Sequence, residues 1–228
     1  MPSLSRRFLA ELIGTFALVF FGASASIAAV YPGSGVGLTG VAIAHGIVLA
    51  IGVTATMHIS GGHLNPAVSL GLFVVRRIDA RMFLVHFAAQ LLAAVLAGFA
   101  LKAAWPAALA RIADYGTPQL NLSVSIGQGI ALEALMGFFL MSAVFGTVVA
   151  AGAHRVGGFG VGLTLVFLII GLGPLTGAAV NLTRALGPAI ASGTWTGQAV
   201  YWVGPALGAV IAAFVWDKVL LRGDTVAV

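Results

Sequence analysis

Long apolar runs constrain this chain more than any other feature of its sequence. Only 7% of its 228 residues are charged and 60% are hydrophobic, whereas a water-soluble domain carries about 25% charged residues. Eleven Lys and Arg with six Asp and Glu cannot cover the surface of a soluble protein of this length. The composition therefore excludes a soluble enzyme and places the chain in a lipid bilayer.

Six of the apolar runs are long enough to cross a bilayer as helices, which requires about 20 apolar residues for roughly 30 Å of hydrocarbon. Breaks at charges, prolines and polar clusters predict spans at residues 8–30, 38–57, 82–104, 125–151, 160–172 and 197–220. The fifth span extends a little on either side of that range. The predicted fold class is an all-α membrane protein with six transmembrane helices.

Two further apolar segments, residues 65–75 and 181–191, are too short to cross the bilayer. At roughly 1.5 Å per residue, each covers only about half of the hydrocarbon thickness as a helix. Each follows a bend that contains a glycine, Gly61 or Gly177. Because non-helical backbone at membrane depth must be buried in protein or line a cavity, these segments are predicted to be re-entrant half-helices beside a pathway or binding site.

The positions of the basic residues indicate the orientation of the chain. With the N-terminus in the cytoplasm, eight Lys and Arg fall inside and two fall outside, as the positive-inside rule favours. The inside set is Arg6, Arg7, Arg76, Arg77, Arg81, Arg155, Lys218 and Arg222, and the outside set is Lys102 and Arg111. Both termini are therefore predicted to be cytoplasmic, in an integral protein of the plasma (inner) membrane.

The chain also resembles itself at an offset of 116 residues. At this offset a Ser-Gly-x-x-x-Asn-x-x-x-x-Leu-Gly pattern superposes on the same pattern with Thr in place of Ser, so that Asn65 matches Asn181. Further out, at a slightly different offset, Glu11 pairs with Glu133. Each predicted unit, residues 8–104 or 125–220, holds three spans and one half-helix. Because three is an odd number, the second unit enters the membrane from the opposite side, which predicts an inverted repeat.

In an inverted repeat, the two half-helices meet with their N-termini near the bilayer centre. Each half-helix opens with an asparagine, Asn65 or Asn181, and carries the positive end of a helix dipole. A cation meets positive charge there, whereas a neutral polar molecule can accept hydrogen bonds from the two side-chain amides. The pattern favours the passage of neutral solutes and the repulsion of cations.

Two motifs resemble signatures of the aquaporin or major intrinsic protein family. The segment that runs His-Ile-Ser-Gly-Gly-His-Leu-Asn-Pro-Ala-Val-Ser from His58 is similar to the first signature, and the segment from Gly173 to Pro188 is similar to the second loop. The resemblance covers the chain from Glu11 to Ala213. It implies one pore per subunit, a homotetramer, and passive conduction of water and small neutral solutes.

The resemblance also implies roles for individual residues. It makes Asn65 and Asn181 the central amide pair, and it gives the outer constriction four residues, His45, Ile169, Ala178 and Arg184. This set resembles that of plant vacuolar-membrane aquaporins, a class associated with water, ammonia, urea, glycerol or peroxide. The Ile and Ala are expected to leave a wide, less polar opening, to which the His and Arg donate hydrogen bonds.

One motif departs from the family pattern. The first central asparagine is followed by Pro66 and Ala67, as in the family, but the second is followed by Leu182 and Thr183. Proline at the first helical position has a preset φ and no orphaned N–H, so Leu182 is expected to make its helix start less rigid. Thr183 is expected to hydrogen-bond to nearby backbone.

Carboxylates inside membrane spans are costly and call for a role. Glu11 and Glu133 are predicted to accept hydrogen bonds from the backbone of the re-entrant loops, with coupling to protons as the alternative. His63 is expected to hydrogen-bond within the first loop, with a pH gate as the alternative. His86 and His154 lie near span ends and are assigned no role.

Other classes of function find little support in the sequence. The absence of cysteine excludes disulfides and thiol chemistry, the sparse basic residues argue against a nucleic-acid partner, and no catalytic constellation, metal motif or cofactor motif is present. The predicted function is a passive channel for water and small uncharged solutes such as glycerol, urea or ammonia, which excludes ions and protons. The alternatives are a proton-coupled secondary transporter of a small polar solute and a structural membrane protein with a closed pore.

Overall fold

The computed structural model describes residues 2–150, 152 and 156–221. Within this part of the chain, six helices are long and apolar enough to cross a membrane, as predicted. Their α-helical bounds are Leu4–Ala29 (α1), Gly37–Ser60 (α2), Ala80–Ala104 (α4), Ile126–Val144 (α6), Gly158–Thr176 (α7) and Gln198–Val215 (α9). Arg155, Arg222 and His154, which the sequence predictions used, lie outside the described residues.

Two short helices occupy the positions of the predicted half-helices, Pro66–Val74 (α3) and Leu182–Ser192 (α8). Each begins directly after its asparagine, whose side chain accepts a hydrogen bond from the backbone N–H two residues later, Ala67 or Thr183, at 2.9 Å. Both asparagines are extended, with φ of −154°, which is the usual geometry of a capping residue. The cap explains why both half-helices begin where the sequence predicts.

The helix that corresponds to the predicted fifth span, α7, is longer than residues 160–172. It continues through Pro174 to Thr176 and ends at Gly177, which has a φ of 79°. A proline so close to the C-terminal end removes only one backbone hydrogen bond, and a glycine with positive φ is a common helix terminator. The helix therefore ends at the glycine and not at the proline.

The contacts between helices occur in matching pairs. Helix α1 packs against α2 and α4, and in the other half α6 packs against α7 and α9. Half-helix α8 packs against α4, and α3 packs against α9, so each half-helix lies mainly against the opposite half. This arrangement is the inverted repeat of an aquaporin-like fold. The predicted limits of the two units, residues 8–104 and 125–220, remain a prediction.

Glycines allow the closest of these helix crossings. A Cβ atom on Gly162 of α7 would overlap the carbonyl oxygen of Gly46 in α2, and one on Gly208 of α9 would overlap that of Ala134 in α6. Small residues permit such close approach of backbones in membrane proteins. The crossings bring the helices close enough to enclose the two half-helices and the loops that precede them.

The loop between α4 and α6 contains structure that was not predicted. Here the side of the membrane that holds the N-terminus is called the near side, and the opposite side is called the far side. On the far side, a short helix, Ala107–Ile112 (α5), is followed by a 3₁₀ turn at Asp114–Gly116. This turn packs against α1 and α8, and it therefore lies beside the half-helix that enters the membrane from the far side.

Candidate pore site

The two loops that precede the half-helices are joined by a reciprocal pair of hydrogen bonds. Asn65 Nδ2 donates to the carbonyl oxygen of Val180, and Asn181 Nδ2 donates to that of Leu64, both at 2.9 Å. Leu64 and Val180 have positive φ angles of 49° and 54°, which are unusual for such residues. Each loop therefore uses one strained residue to present a carbonyl oxygen to the asparagine of the other loop.

The first loop is held by the carboxylate of Glu11, which is completely buried. Its oxygens accept hydrogen bonds from the backbone N–H groups of His63 at 2.9 Å and Leu64 at 2.7 Å. Two side chains, the hydroxyl of Ser60 and the amide of Gln90, donate to the same carboxylate at 2.7 and 2.8 Å. Because both carboxylate oxygens are occupied, the charge is compensated without a basic partner.

The second loop is held in the same way by Glu133, which is also completely buried. Its carboxylate accepts hydrogen bonds from the backbone N–H groups of Ala179 at 3.0 Å and Val180 at 2.7 Å, and from the hydroxyl of Thr176 at 2.7 Å. Glu11 and Glu133 thus make equivalent contacts in the two halves. Neither carboxylate is among the described residues that line the two cavities presented below.

A second histidine joins the polar cluster around the first loop. His63 Nδ1 lies 2.9 Å from the hydroxyl oxygen of Ser69 and 3.0 Å from Nδ1 of His86. His86 is completely buried, so the view that it has no role was wrong. Its spacing of four residues from Gln90 could have indicated its place, because residues four apart share one face of a helix.

A narrow central cavity lies where the two loops meet. It has a volume of about 20 Å³ and is lined by four polar residues and by apolar side chains. A cavity of roughly 10–15 Å³ on this measure holds one water molecule, so the centre has room for about one water molecule. The polar lining residues are His63, Asn65, Asn181 and Arg184.

A wider cavity of about 320 Å³ opens towards the far side. Its walls include His45, Ile169 and Gly116, and Arg184 lines this cavity as well as the central one. Arg184 therefore lies at the boundary between the two spaces. Of the predicted constriction residues, His45, Ile169 and Arg184 come together here.

Ala178 differs from the other three predicted constriction residues in its placement. It is buried in the bend before α8, with a φ of 43°. Its neighbour Gly177 lines the far-side cavity, and its other neighbour Ala179 lines the central cavity. Among the described residues, Ala178 itself lines neither, so its role in the constriction remains a prediction.

The hydrogen bonds of Arg184 fix the chemistry of the constriction. Its Nη1 donates to the carbonyl oxygen of Gly116 at 2.7 Å, and its Nε donates to Nε2 of His45 at 3.2 Å. The other ring nitrogen of His45, Nδ1, lies 2.8 Å from the carbonyl oxygen of Val41. Because a carbonyl only accepts, Nδ1 carries the proton, and Nε2 is the acceptor for Arg184.

The expectation that His45 donates a hydrogen bond into the opening was therefore wrong. Its single N–H is used within α2, and its acceptor nitrogen is occupied by Arg184. Arg184 has five N–H groups, and it alone of this pair retains N–H groups for a passing molecule. Of the two polar side chains predicted for the constriction, only Arg184 therefore offers N–H donors, where both were expected to do so.

Thr183 also makes a different contact from the one expected. Its hydroxyl donates to a side-chain atom, Oδ1 of Asn181, at 2.7 Å, whereas a backbone partner was expected. The backbone N–H of Thr183 donates to the same oxygen at 2.9 Å. Both donors hold the asparagine oxygen towards the helix. Leu182 occupies the first helical position, as Pro66 does in the other half-helix.

We expect the Leu182→Pro variant to fold. The preceding Asn181 is already extended, as a residue before proline must be, and a compatible proline raises the free energy of unfolding by about 0.4–1 kcal/mol. The matched control is Thr183→Pro, which removes the N–H that donates to Asn181 and is expected to lower that free energy by about 1–3 kcal/mol. Thermal unfolding of the purified protein measures both, and equal midpoints for the two variants would contradict this account of the helix start.

The structure contains no candidate metal centre in the part of the chain that it describes, where no three His, Asp or Glu side chains lie close enough to share an ion. Most polar groups of the site instead bind one another or face the two cavities, whereas Nε2 of His86 and Oε1 of Gln90 are buried without a hydrogen-bond partner among the described residues. The site is therefore a passage lined by hydrogen-bond donors and apolar side chains.

Comparisons with known proteins agree with this geometry. The sequence profile described as Major intrinsic protein matches residues 1–216. Aquaporin TIP4-4 of Zea mays is 41% identical over 95% of this chain and 87% of its own length, and Probable aquaporin NIP4-2 of Arabidopsis thaliana is 32% identical over 94% and 74%. The X-ray structure of the aquaglyceroporin from Plasmodium falciparum superposes with a TM-score of 0.81, at 25% identity over 96% of this chain and 98% of that chain.

Proposed function

Because the chain belongs to the major intrinsic protein family, we propose that it forms a passive transmembrane channel for water and small uncharged solutes. Members of this family are channels and not enzymes, and we propose no reaction for this chain. The observation that carries the proposal is the pair of asparagine amides that line a central cavity with room for about one water molecule.

The asparagine nitrogens offer hydrogen-bond donors at the centre of the passage. Oδ1 of each asparagine accepts from its own half-helix, and one Nδ2–H of each donates to the opposite loop. The second Nδ2–H of Asn65 and that of Asn181 are left for a molecule in the cavity. A water or solute oxygen accepts these bonds as it passes, so the loss of its hydration is partly compensated.

The same donors support the exclusion of protons and cations. A water molecule that accepts from both amides uses both of its lone pairs, so it cannot accept a proton from a neighbouring water. The positive ends of α3 and α8 and the guanidinium of Arg184 also oppose a cation in a low dielectric. Neutral molecules meet neither barrier.

The far-side constriction supports a range of solutes wider than water alone. Ile169 and Val41 form apolar walls, while Arg184 retains N–H donors on the polar side. A small molecule with a polar edge and an apolar edge fits such an opening. Glycerol, urea and ammonia are the uncharged solutes that we propose beside water.

We also propose that the channel is a homotetramer of the plasma (inner) membrane, with both termini in the cytoplasm. The family resemblance supports the tetramer. The positive-inside rule supports the orientation, since Arg76 and Arg77 lie between α3 and α4, and Arg81 lies in the first turn of α4, on the same side as the N-terminus. Proton-coupled transport has less support, because the buried carboxylates of Glu11 and Glu133 are occupied by the loops.

Water flux through vesicles tests the proposed function. Proteoliposomes that contain the purified protein are expected to shrink faster than empty liposomes after an osmotic step, with a low temperature dependence, because water crosses without leaving a hydrogen-bonded file. Light scattering in a stopped-flow instrument measures the rate. Shrinkage at the rate of empty liposomes would contradict the channel and favour a closed structural protein, and solute uptake that required a pH gradient would favour a transporter.

We expect Arg184→Ala to relax the selection of solutes. The substitution removes the guanidinium from the boundary between the two cavities, so the permeability to glycerol and urea should rise several-fold relative to that of water. Solute uptake and water flux are measured on the same vesicles. The matched control is Arg111→Ala, which removes an exposed arginine of α5 on the same side, and an unchanged ratio in the Arg184 variant would remove this residue from the filter.

A further inference from the structure

The turn that supplies a carbonyl oxygen to the filter has an unusual backbone. Asp114, Tyr115 and Gly116 all have positive φ angles, of 47°, 54° and 77°. The first two are not glycines, and such residues persist in this conformation only where their surroundings hold them. The turn places the carbonyl oxygen of Gly116 at 2.7 Å from Nη1 of Arg184.

The carboxylate of Asp114 ties this turn to α8. Its Oδ1 accepts a hydrogen bond from the hydroxyl of Thr194 at 2.9 Å, and its Oδ2 accepts one from the amide of Gln119 at 2.6 Å. Thr194 follows the C-terminal end of α8, and Arg184 lies near the start of the same half-helix. The carboxylate therefore fixes the turn to the element that carries the arginine.

Packing around the turn also restricts the carbonyl group of Gly116 while the hydrogen bonds of Asp114 are intact. Tyr115 is buried in a hydrophobic cluster that includes Ala23 and Ile27 of α1. A Cβ atom on Gly116 would lie 2.8 Å from the carbonyl oxygen of Ala23. On the opposite flank, the hydroxyl of Thr117 lies 3.0 Å from that of Ser192 in α8. The turn is thus wedged between α1 and the end of α8.

We propose that Asp114 is a positioning residue for solute selection, which holds the Gly116 carbonyl oxygen where it fixes Arg184 at the constriction. Asp114 itself lines neither cavity among the described residues and acts only through the turn. Without its carboxylate, the strained turn relaxes and Arg184 keeps only the bond to His45. The guanidinium then moves, and the opening admits larger solutes. The inference rests on the proposed channel function.

Two substitutions remove the hydrogen bond between Thr194 and Asp114, one from each partner. Asp114→Ala removes the carboxylate, and Thr194→Val removes the hydroxyl that donates to it while preserving the side-chain shape. Asp114→Asn is the rescuing variant, because its Oδ1 still accepts from Thr194 and the Gln119 amide can turn its oxygen towards the new nitrogen. Gln128→Ala is the control, since Gln128 caps α6 on the same side of the membrane.

The readout is the ratio of glycerol to water permeability in proteoliposomes, which a general loss of folded protein does not change. Asp114→Ala and Thr194→Val are expected to raise this ratio several-fold, whereas Asp114→Asn and Gln128→Ala should keep the wild-type ratio. Amide hydrogen exchange of residues 113–119 is expected to accelerate in the first two variants only. If Asp114→Ala does not fold, Thr194→Val carries the test.

The outcomes separate this inference from the proposed function. If vesicles that contain the wild-type protein show no water flux above that of empty liposomes, the proposed function is overturned, and with it the role of Asp114 in solute selection. Wild-type flux with an unchanged ratio in Asp114→Ala and Thr194→Val would overturn the inference alone, as would unchanged hydrogen exchange. A proportional fall of both permeabilities in those variants would show that Asp114 contributes only to folding.

Discussion

The structure depends on hydrogen-bonding the backbone of two non-helical loops at membrane depth. Lipid offers no hydrogen bonds, so each unsatisfied N–H or carbonyl group there costs several kcal/mol. Glu11 and Glu133 accept the N–H groups of the two loops. The amides of Asn65 and Asn181 donate to carbonyl oxygens across the contact between the loops. The helices around the loops are closely packed at glycines, which keeps this polar contact out of lipid.

The same set of bonds produces the chemistry of the passage. Each asparagine has an acceptor oxygen and two N–H donors; the oxygen accepts from the half-helix that it caps, and one donor binds the opposite loop. What remains in the cavity is one N–H from each residue, beside the positive ends of two helices. The selection of neutral molecules that we propose therefore follows from how the loops are stabilised.

Much of this architecture could be predicted because it depends on length and repetition. The spans and half-helices follow from counts of apolar residues, the helix starts follow from Asn65 and Asn181, and the pairing of Glu11 with Glu133 follows from the repeat. The positions of His45, Ile169 and Arg184 came instead from resemblance to a family. Spacing alone does not bring residues of α2, α7 and α8 to one point.

The remaining features depend on backbone positions and on the direction of single hydrogen bonds. Nε2 of His45 accepts from Arg184 because the single N–H of the ring, on Nδ1, donates to a carbonyl oxygen of its own helix, which the residue type does not reveal. The Gly116 carbonyl that holds Arg184 is a backbone group of a loop, and no side chain in the sequence indicates it. The most direct test of the account is to measure water flux and proton flux on the same proteoliposomes under an imposed pH gradient. The account predicts water flux far above that of empty liposomes while the pH gradient decays no faster than in empty liposomes. Rapid decay of the gradient that depends on the protein would contradict it.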